Sequence, residues 1–204
     1  LGHTLGGDDA SFLSGLREVL AVYDVPLLGG DTISSTSAST FSLTAIGRAT
    51  HTPVPSRKGA RVGDAIFVTG TLGCAMLGFE GKEKYLEAFN RPTPLLDEGR
   101  LLAPHVSSMM DVSDGLLLDA WRLANANAVT IQLDPEAIPV ADPNRLHDCV
   151  RWGDDYELLF TAPADAEPPV SATRIGTVNE ATDAPVMFGD EALRSPDSLG
   201  YRHG

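Results

Sequence analysis

The chain has 204 residues, 43% of them hydrophobic, which is enough for one large or two small domains with a buried core and excludes a disordered or fibrous chain. Its 28 acidic against 15 basic side chains leave a formal charge of -13, which disfavours a general nucleic-acid binder but is compatible with phosphorylated ligands held through metal ions. Cys74 and Cys149 stand far apart with no metal-ligand pair spacing around them, so neither a disulfide framework nor a zinc ribbon is indicated, and a reducing compartment is the default. No window approaches about 18 uninterrupted apolar residues and no basic, then apolar leader opens the chain, so a soluble, cytoplasmic protein is expected. The first residue is not methionine, which suggests a fragment, a processed chain or a sequence with parts removed.

Asp8 and Asp9 precede a helix in which Phe12, Leu16, Val19, Leu20 and Tyr23 recur at helical spacing, and Pro26 ends the pattern. Val25-Pro26-Leu27-Leu28 reads as a short buried strand entering Gly29-Gly30-Asp31-Thr32. Small polar residues from Ser34 to Thr40 predict a loop, and Phe41 to Ile46 a strand. Residues 51–64, with two prolines, three basic residues and two glycines, mark the expected boundary between subdomains.

Ala65 to Thr69 is predicted as a strand, followed by the glycine turn Gly70-Thr71-Leu72-Gly73 and a helix to about Phe79. A second short helical segment spans Lys82 to Phe89, Arg91 to Pro94 form a rigid turn, and a helix runs from about Leu95 toward Ala103. Ser108 to Gly115 reads as a short strand turning into a helix that carries Leu116, Leu117, Leu118, Ala120, Trp121 and Leu123. Val129 to Leu133, the end of Trp152 to Phe160, and Thr173 to Val178 read as strands, and the tail as loops and short strands. Strands joined to helices predict an α/β or α+β enzyme scaffold, with residues 1–57 as an incomplete first domain and 58–204 as a more complete second one.

Three acidic motifs carry the chemistry. Gly29-Gly30-Asp31-Thr32 sets a carboxylate after two flexible residues, suited to a hard cation or, more simply, to an Asx turn. In Asp111-Val112-Ser113-Asp114-Gly115 the two aspartates can converge on magnesium, the serine hydroxyl can meet phosphate, and free helix N–H groups can receive an anion; an ordinary N-cap is the alternative. Gly153-Asp154-Asp155-Tyr156-Glu157 concentrates three carboxylates before an apolar run, with Asp155 and Glu157 on one side if a strand begins there; an exposed turn explains it equally. Arg57 and Lys58 offer cations to phosphate or to solvent. Scattered histidines and the lack of a Gly-x-Ser-x-Gly elbow argue against zinc hydrolysis and a serine triad, and no Walker A loop is present. Met109 and Met110 read as packing, Trp121 as a core anchor, Cys149 as structural, and Trp152 as the tryptophan nearer a ligand.

In order and spacing these motifs, together with Val68 to Gly73, Arg91 to Pro94 and Phe12 to Val19, resemble bacterial thiamine-monophosphate kinase over nearly the whole chain. The resemblance implies a two-domain aminoimidazole-ribonucleotide synthetase-like fold with an incomplete first domain. It also implies transfer of the ATP terminal phosphoryl group directly to thiamine monophosphate, several Mg2+ ions, and a homodimer when full length. It assigns Gly30, Asp31, Arg57 and Ser113 to ATP, Asp31, Asp111 and Asp114 to magnesium, and Asp154, where the family often has glutamate, to thiamine monophosphate. Tyr201 is matched loosely to a terminal aromatic substrate contact, and Tyr156 is expected to lock the acidic strand to the core. Gly7-Asp8-Asp9-Ala10 only superficially resembles the family's earlier metal motif, so the chain is expected to be the carboxyl-terminal two thirds, short of a complete metal cluster. A related ATP-dependent ribonucleotide synthetase and a noncatalytic ligand-binding fragment are the alternatives.

Overall fold

Pairing partners, more than apolar content, decide where strands begin in this chain. The computed structural model describes residues 2–4, 9–33 and 40–201, and it divides between Arg48 and Ala49 into two compact units. The Ser34 to Thr40 loop, apart from Thr40, and Gly7 and Asp8 lie outside the described residues.

The first unit contains β1 (Gly2–Thr4), α1 (Asp9–Val22), β2 (Asp31–Ile33) and β3 (Phe41–Ser42). β1 lies between the other two strands, parallel to β2 and antiparallel to β3. α1 ends with Asp24 in the left-handed region (φ 50°) and the Val25 N–H on the Leu20 carbonyl, a closed C-terminal turn before Pro26. The strand expected at Val25 to Leu28 is absent: among the described residues these four pair with no strand, Leu28 is 81% exposed, and Pro26 has no N–H to offer. Pairing starts instead at Asp31, opposite Gly2. β3 likewise stops at Ser42, because only Phe41 and Ser42 face partners in β1, and Leu43 and Ile46 are exposed. The Phe12 and Phe41 rings meet at 4.6 Å between centroids.

The second unit runs in order through β4 (Ala65–Thr69), α2 (Cys74–Phe79), a 3-10 turn at Glu83–Tyr85, α3 (Leu86–Asn90) and α4 (Leu96–Leu102). It continues with β5 (Ser108–Asp111), α5 (Leu116–Asn127), β6 (Thr130–Leu133), a 3-10 turn at Pro143–Arg145, α6 (Leu146–Cys149) and β7 (Leu158–Ala162). β8 (Ala172–Asn179), β9 (Val186–Phe188) and β10 (Glu191–Leu193) complete it. Among the described residues the strands form one seven-stranded sheet in the order β10-β9-β6-β8-β4-β7-β5, antiparallel except where β6 meets β9. The mixed sheet with inserted helices is an α+β arrangement.

β4 is buried along its whole length, so both of its faces are apolar. Ile66 and Val68 join Ile131, Leu159 and Ile175 beneath the α5 residues Leu116, Leu117 and Leu123. Ala65 and Phe67 join Leu102 and Phe160 on the opposite face, where the two phenyl rings stack at 5.3 Å. Residues 49–57, grouped with the first domain on sequence, hang on the second unit through the Met109 N–H on the Ser56 carbonyl and Asn127 Nδ2 on the Arg57 carbonyl. Leu123 has no solvent exposure. Its replacement by alanine is expected to lower unfolding free energy by about 2–5 kcal/mol, whereas Leu101→Ala, at a 54% exposed position, is expected to change it by under about 1 kcal/mol; urea titrations of the two variants check this.

Candidate functional site

β5 delivers the chain to Asp111, and the turn that follows is held mainly by main-chain bonds. The Val112 N–H donates to the Glu157 carbonyl, and the Val112 carbonyl accepts from Tyr156. The Ser113 carbonyl accepts the Asp154 N–H, and the Asp114 carbonyl accepts the Tyr201 N–H, each at 2.9 Å. Such contacts need backbone to approach backbone, so a Cβ on Gly153 would overlap the Ser113 carbonyl and one on Gly200 the Asp114 carbonyl.

Asp119, one turn into α5 and with no solvent exposure, reaches back and accepts the N–H groups of both Ser113 and Asp114 at 3.0 Å on one carboxylate oxygen. Arg122 Nη1 donates to the other oxygen at 2.8 Å and also to Asp114 Oδ2. Burial pushes the Asp119 carboxyl up, while the Asp114 N–H and the Arg122 guanidinium pull it down. The helix-start donors expected to receive an anion are thus in part engaged: those of Ser113 and Asp114 by Asp119, and that of Leu117 by the Val150 carbonyl at 3.1 Å.

The acidic turn splits by face. Asp155 turns inward and accepts from the N–H groups of Gly73 and Ala75 at 2.8 and 3.2 Å. Glu157 accepts the Thr69 hydroxyl at 2.5 Å, and Thr69 Oγ1 in turn accepts the Leu158 N–H. Asp154 and Tyr156 both take left-handed backbone (φ 64° and 52°) and face the other way, with the Tyr156 hydroxyl donating to Asp154 Oδ1 at 3.1 Å. The expectation that Tyr156 locks the strand to the core therefore fails: it is 38% exposed, because regular alternation begins only at Leu158. Its phenol is pushed up by partial burial, then by its bond to Asp154 and by the charges of Asp154, Asp111 and Asp114, which keeps it a donor.

Ser113, Asp114, Asp154, Tyr156 and Tyr201 line one cavity of about 770 Å³ with Phe79, Phe89, Arg151, Trp152, Gly153 and Gly200. Phe79 touches both Trp152 and Phe89, with centroids 5.2 and 5.4 Å apart. Asp111 is exposed at the end of β5. Arg57 is exposed and is not among the cavity residues; its carbonyl is bound at the far end of α5, about 18 Å of helix from the Ser113 turn. In the first unit Gly30 and Asp31 are exposed, and Asp31 Oδ1 accepts the Thr32 N–H at 2.9 Å. The sequence reading missed Asp119 and Arg122, whose i,i+3 spacing on a helix was the available signal, and Phe79 and Phe89, which it treated only as helix ends.

Among the described residues no three His, Cys, Asp or Glu side chains come together around a metal. Asp111, Asp114 and Ser113 nonetheless offer oxygen donors of the hard kind that magnesium takes, and that ion is bound through one or two carboxylates with water and substrate phosphates completing its shell. The donors present fit that ion as a partial, ligand-completed site.

Residues 61–184 match the family described as AIR synthase related protein, C-terminal domain. The thiamine-monophosphate kinase of Halobacterium salinarum is 34% identical over 91% of this chain and 70% of its own length. Among solved structures, AaThiL complexed with AMPPCP and TMP superposes with a TM-score of 0.78 at 26% identity, over 95% of this chain and 70% of that one. Thiamine-monophosphate kinase from Stenotrophomonas maltophilia K279a gives the same TM-score and identity over 94% and 72%.

Burial raises the Asp155 carboxyl from 3.8 to about 6, against the lowering effect of the Gly73 and Ala75 N–H groups. The native state then holds a proton that the unfolded chain releases, so this contribution to stability is present below pH 3.8 and is lost as pH rises through about 6. Relative to Asp155→Asn, which cannot titrate, the wild-type protein is expected to lose about 2 kcal/mol between pH 4 and pH 7. Denaturation curves of both proteins at the two pH values check the sign.

Proposed function

Since the chain belongs to the thiamine-monophosphate kinase family, we propose that it transfers the γ-phosphoryl group of ATP to thiamine monophosphate, yielding thiamine diphosphate and ADP. The observation that carries the reading is the meeting of Ser113 and Asp114 with Asp154 and Tyr201 on a single aromatic-walled cavity. Two groups matched to the nucleotide and metal side thus stand beside two matched to the acceptor. That the related structure holds AMPPCP and TMP supports the same pair of ligands here.

In this reading Asp111 and Asp114 hold Mg2+, and Ser113 donates its hydroxyl to a nucleotide phosphate. Bound magnesium supplies charge neutralisation for the donor and acceptor phosphates. Asp119 and Arg122 keep the metal turn in shape. Asp154, presented by its left-handed backbone and held by the Tyr156 hydroxyl, meets the thiamine portion of the acceptor, and Tyr201 closes that end. The acceptor phosphate is largely ionised near neutral pH, with its second pKa near about 6, so no side chain is needed as a base and transfer is direct. The remaining work of the protein is positioning.

The resemblance also assigns Gly30 and Asp31 to nucleotide and magnesium and Arg57 to a nucleotide phosphate, and all three are exposed. Residues 1–48 then belong to the amino-terminal ATP- and magnesium-binding, dimer-forming domain, and 49–204 to the carboxyl-terminal domain. A cytoplasmic homodimer follows from the same reading. Among the described residues no helix is long and apolar enough to cross a membrane.

The test is magnesium-dependent conversion of ATP and thiamine monophosphate to ADP and thiamine diphosphate by the full-length protein, followed by product chromatography. Asp114→Asn is expected to cut turnover at saturating substrate by at least about tenfold and to raise the magnesium concentration required, while its thermal unfolding midpoint shifts by only a few degrees. Equal turnover with unchanged magnesium dependence would remove Asp114 from the metal site.

A further inference from the structure

The cavity wall built by Phe79 and Trp152 has no partner in the metal chemistry. Phe79 closes α2 and is 60% exposed, an aromatic ring left at the mouth of a cavity while flanked by Trp152 on one contact and Phe89 on another. Trp152 is fixed by packing on the buried cluster of Met76, Leu77 and Cys149, so the indole is held in place before any ligand arrives. The same cavity carries the Asp154 carboxylate, while that of Asp114 is paired with Arg122. Among the described lining residues the cation is Arg151, which directs Nε to the Ser198 carbonyl at 3.1 Å and Nη1 to the His147 ring at 2.8 Å. Electron-rich ring faces beside carboxylates suit a flat group that carries delocalised positive charge.

We propose that Trp152 and Phe79 are specificity-determining residues that read the positive charge of the acceptor's aromatic ring, preferring the cationic thiazolium of thiamine monophosphate to a neutral ring of the same shape. This rests on the reading of the cavity as the acceptor site. The wall acts on acceptor binding and not on phosphoryl transfer, so its loss raises KM for the acceptor and leaves kcat and KM for ATP nearly as they are.

The probe is an isostere of thiamine monophosphate in which a neutral thiophene replaces the thiazolium ring, used as a competitor of thiamine monophosphate turnover by the full-length protein. Trp152→Leu is expected to raise KM for thiamine monophosphate about tenfold, to keep KM for ATP within about twofold, and to shrink the preference for the charged ring; Trp152→Phe is expected to restore most of the preference. Should Trp152→Leu not fold, Phe79→Leu at its exposed position gives the same readout. An unchanged KM overturns the proposal, and so does equal weakening of the charged and neutral ligands, which would make the wall an apolar surface only. A wild-type protein that forms no thiamine diphosphate would bring down the function reading itself, a result separate from either of these.

Discussion

The carboxylate of Asp119 organises the second unit's chemistry. It is buried, it is reached by two consecutive main-chain N–H groups and one guanidinium, and each of these belongs to the turn or helix that carries Ser113 and Asp114. A buried carboxylate without those donors would be costly, so the turn and the acid hold each other in place. Arg122 extends the arrangement outward by bridging Asp119 to Asp114. The side chain assigned to metal is therefore charge-paired with Arg122, and a cation must share Asp114 with the guanidinium or shift it.

The acidic turn at 153–157 obeys a different logic, division of labour between alternate residues. Asp155 and Glu157 anchor it to the glycine turn after β4, so its carboxylates serve as hydrogen-bond acceptors for Gly73, Ala75 and Thr69. With those anchors set, the backbone can hold Asp154 and Tyr156 in a conformation that non-glycine residues seldom adopt, facing the cavity. Strain of this kind persists only where the surroundings over-determine it, and here both sides of the turn do.

Much of the second unit was legible because its signals are local. The fully buried β4, the helical spacing of α5 and the switch from strand to helix at Asp111 to Leu116 can each be read from a dozen residues or fewer, and the structure has them in place. What was not legible depended on distant partners. Val25 to Leu28 has the composition of a buried strand, yet the strand sits at Asp31, where β1 offers a register. The inward and outward roles within 154–157 were half visible, since Asp155 and Glu157 do share a side, but Tyr156 was misplaced because a left-handed backbone interrupts the period on which such readings rest. The turn and helix at Pro143 to Cys149 went unread although Asp142 before Pro143 is a start signal, and the Asp142 carboxylate does accept the Asn144 N–H.

The close passage of Gly153 and Gly200 over the Ser113 and Asp114 carbonyls means that the cavity's outline is drawn largely by main chain. Phe79, Trp152 and Tyr201 then project from that outline as side chains. A scaffold of this kind separates frame from wall: the glycines and buried acids set the backbone, while the wall residues decide which ligand it can hold.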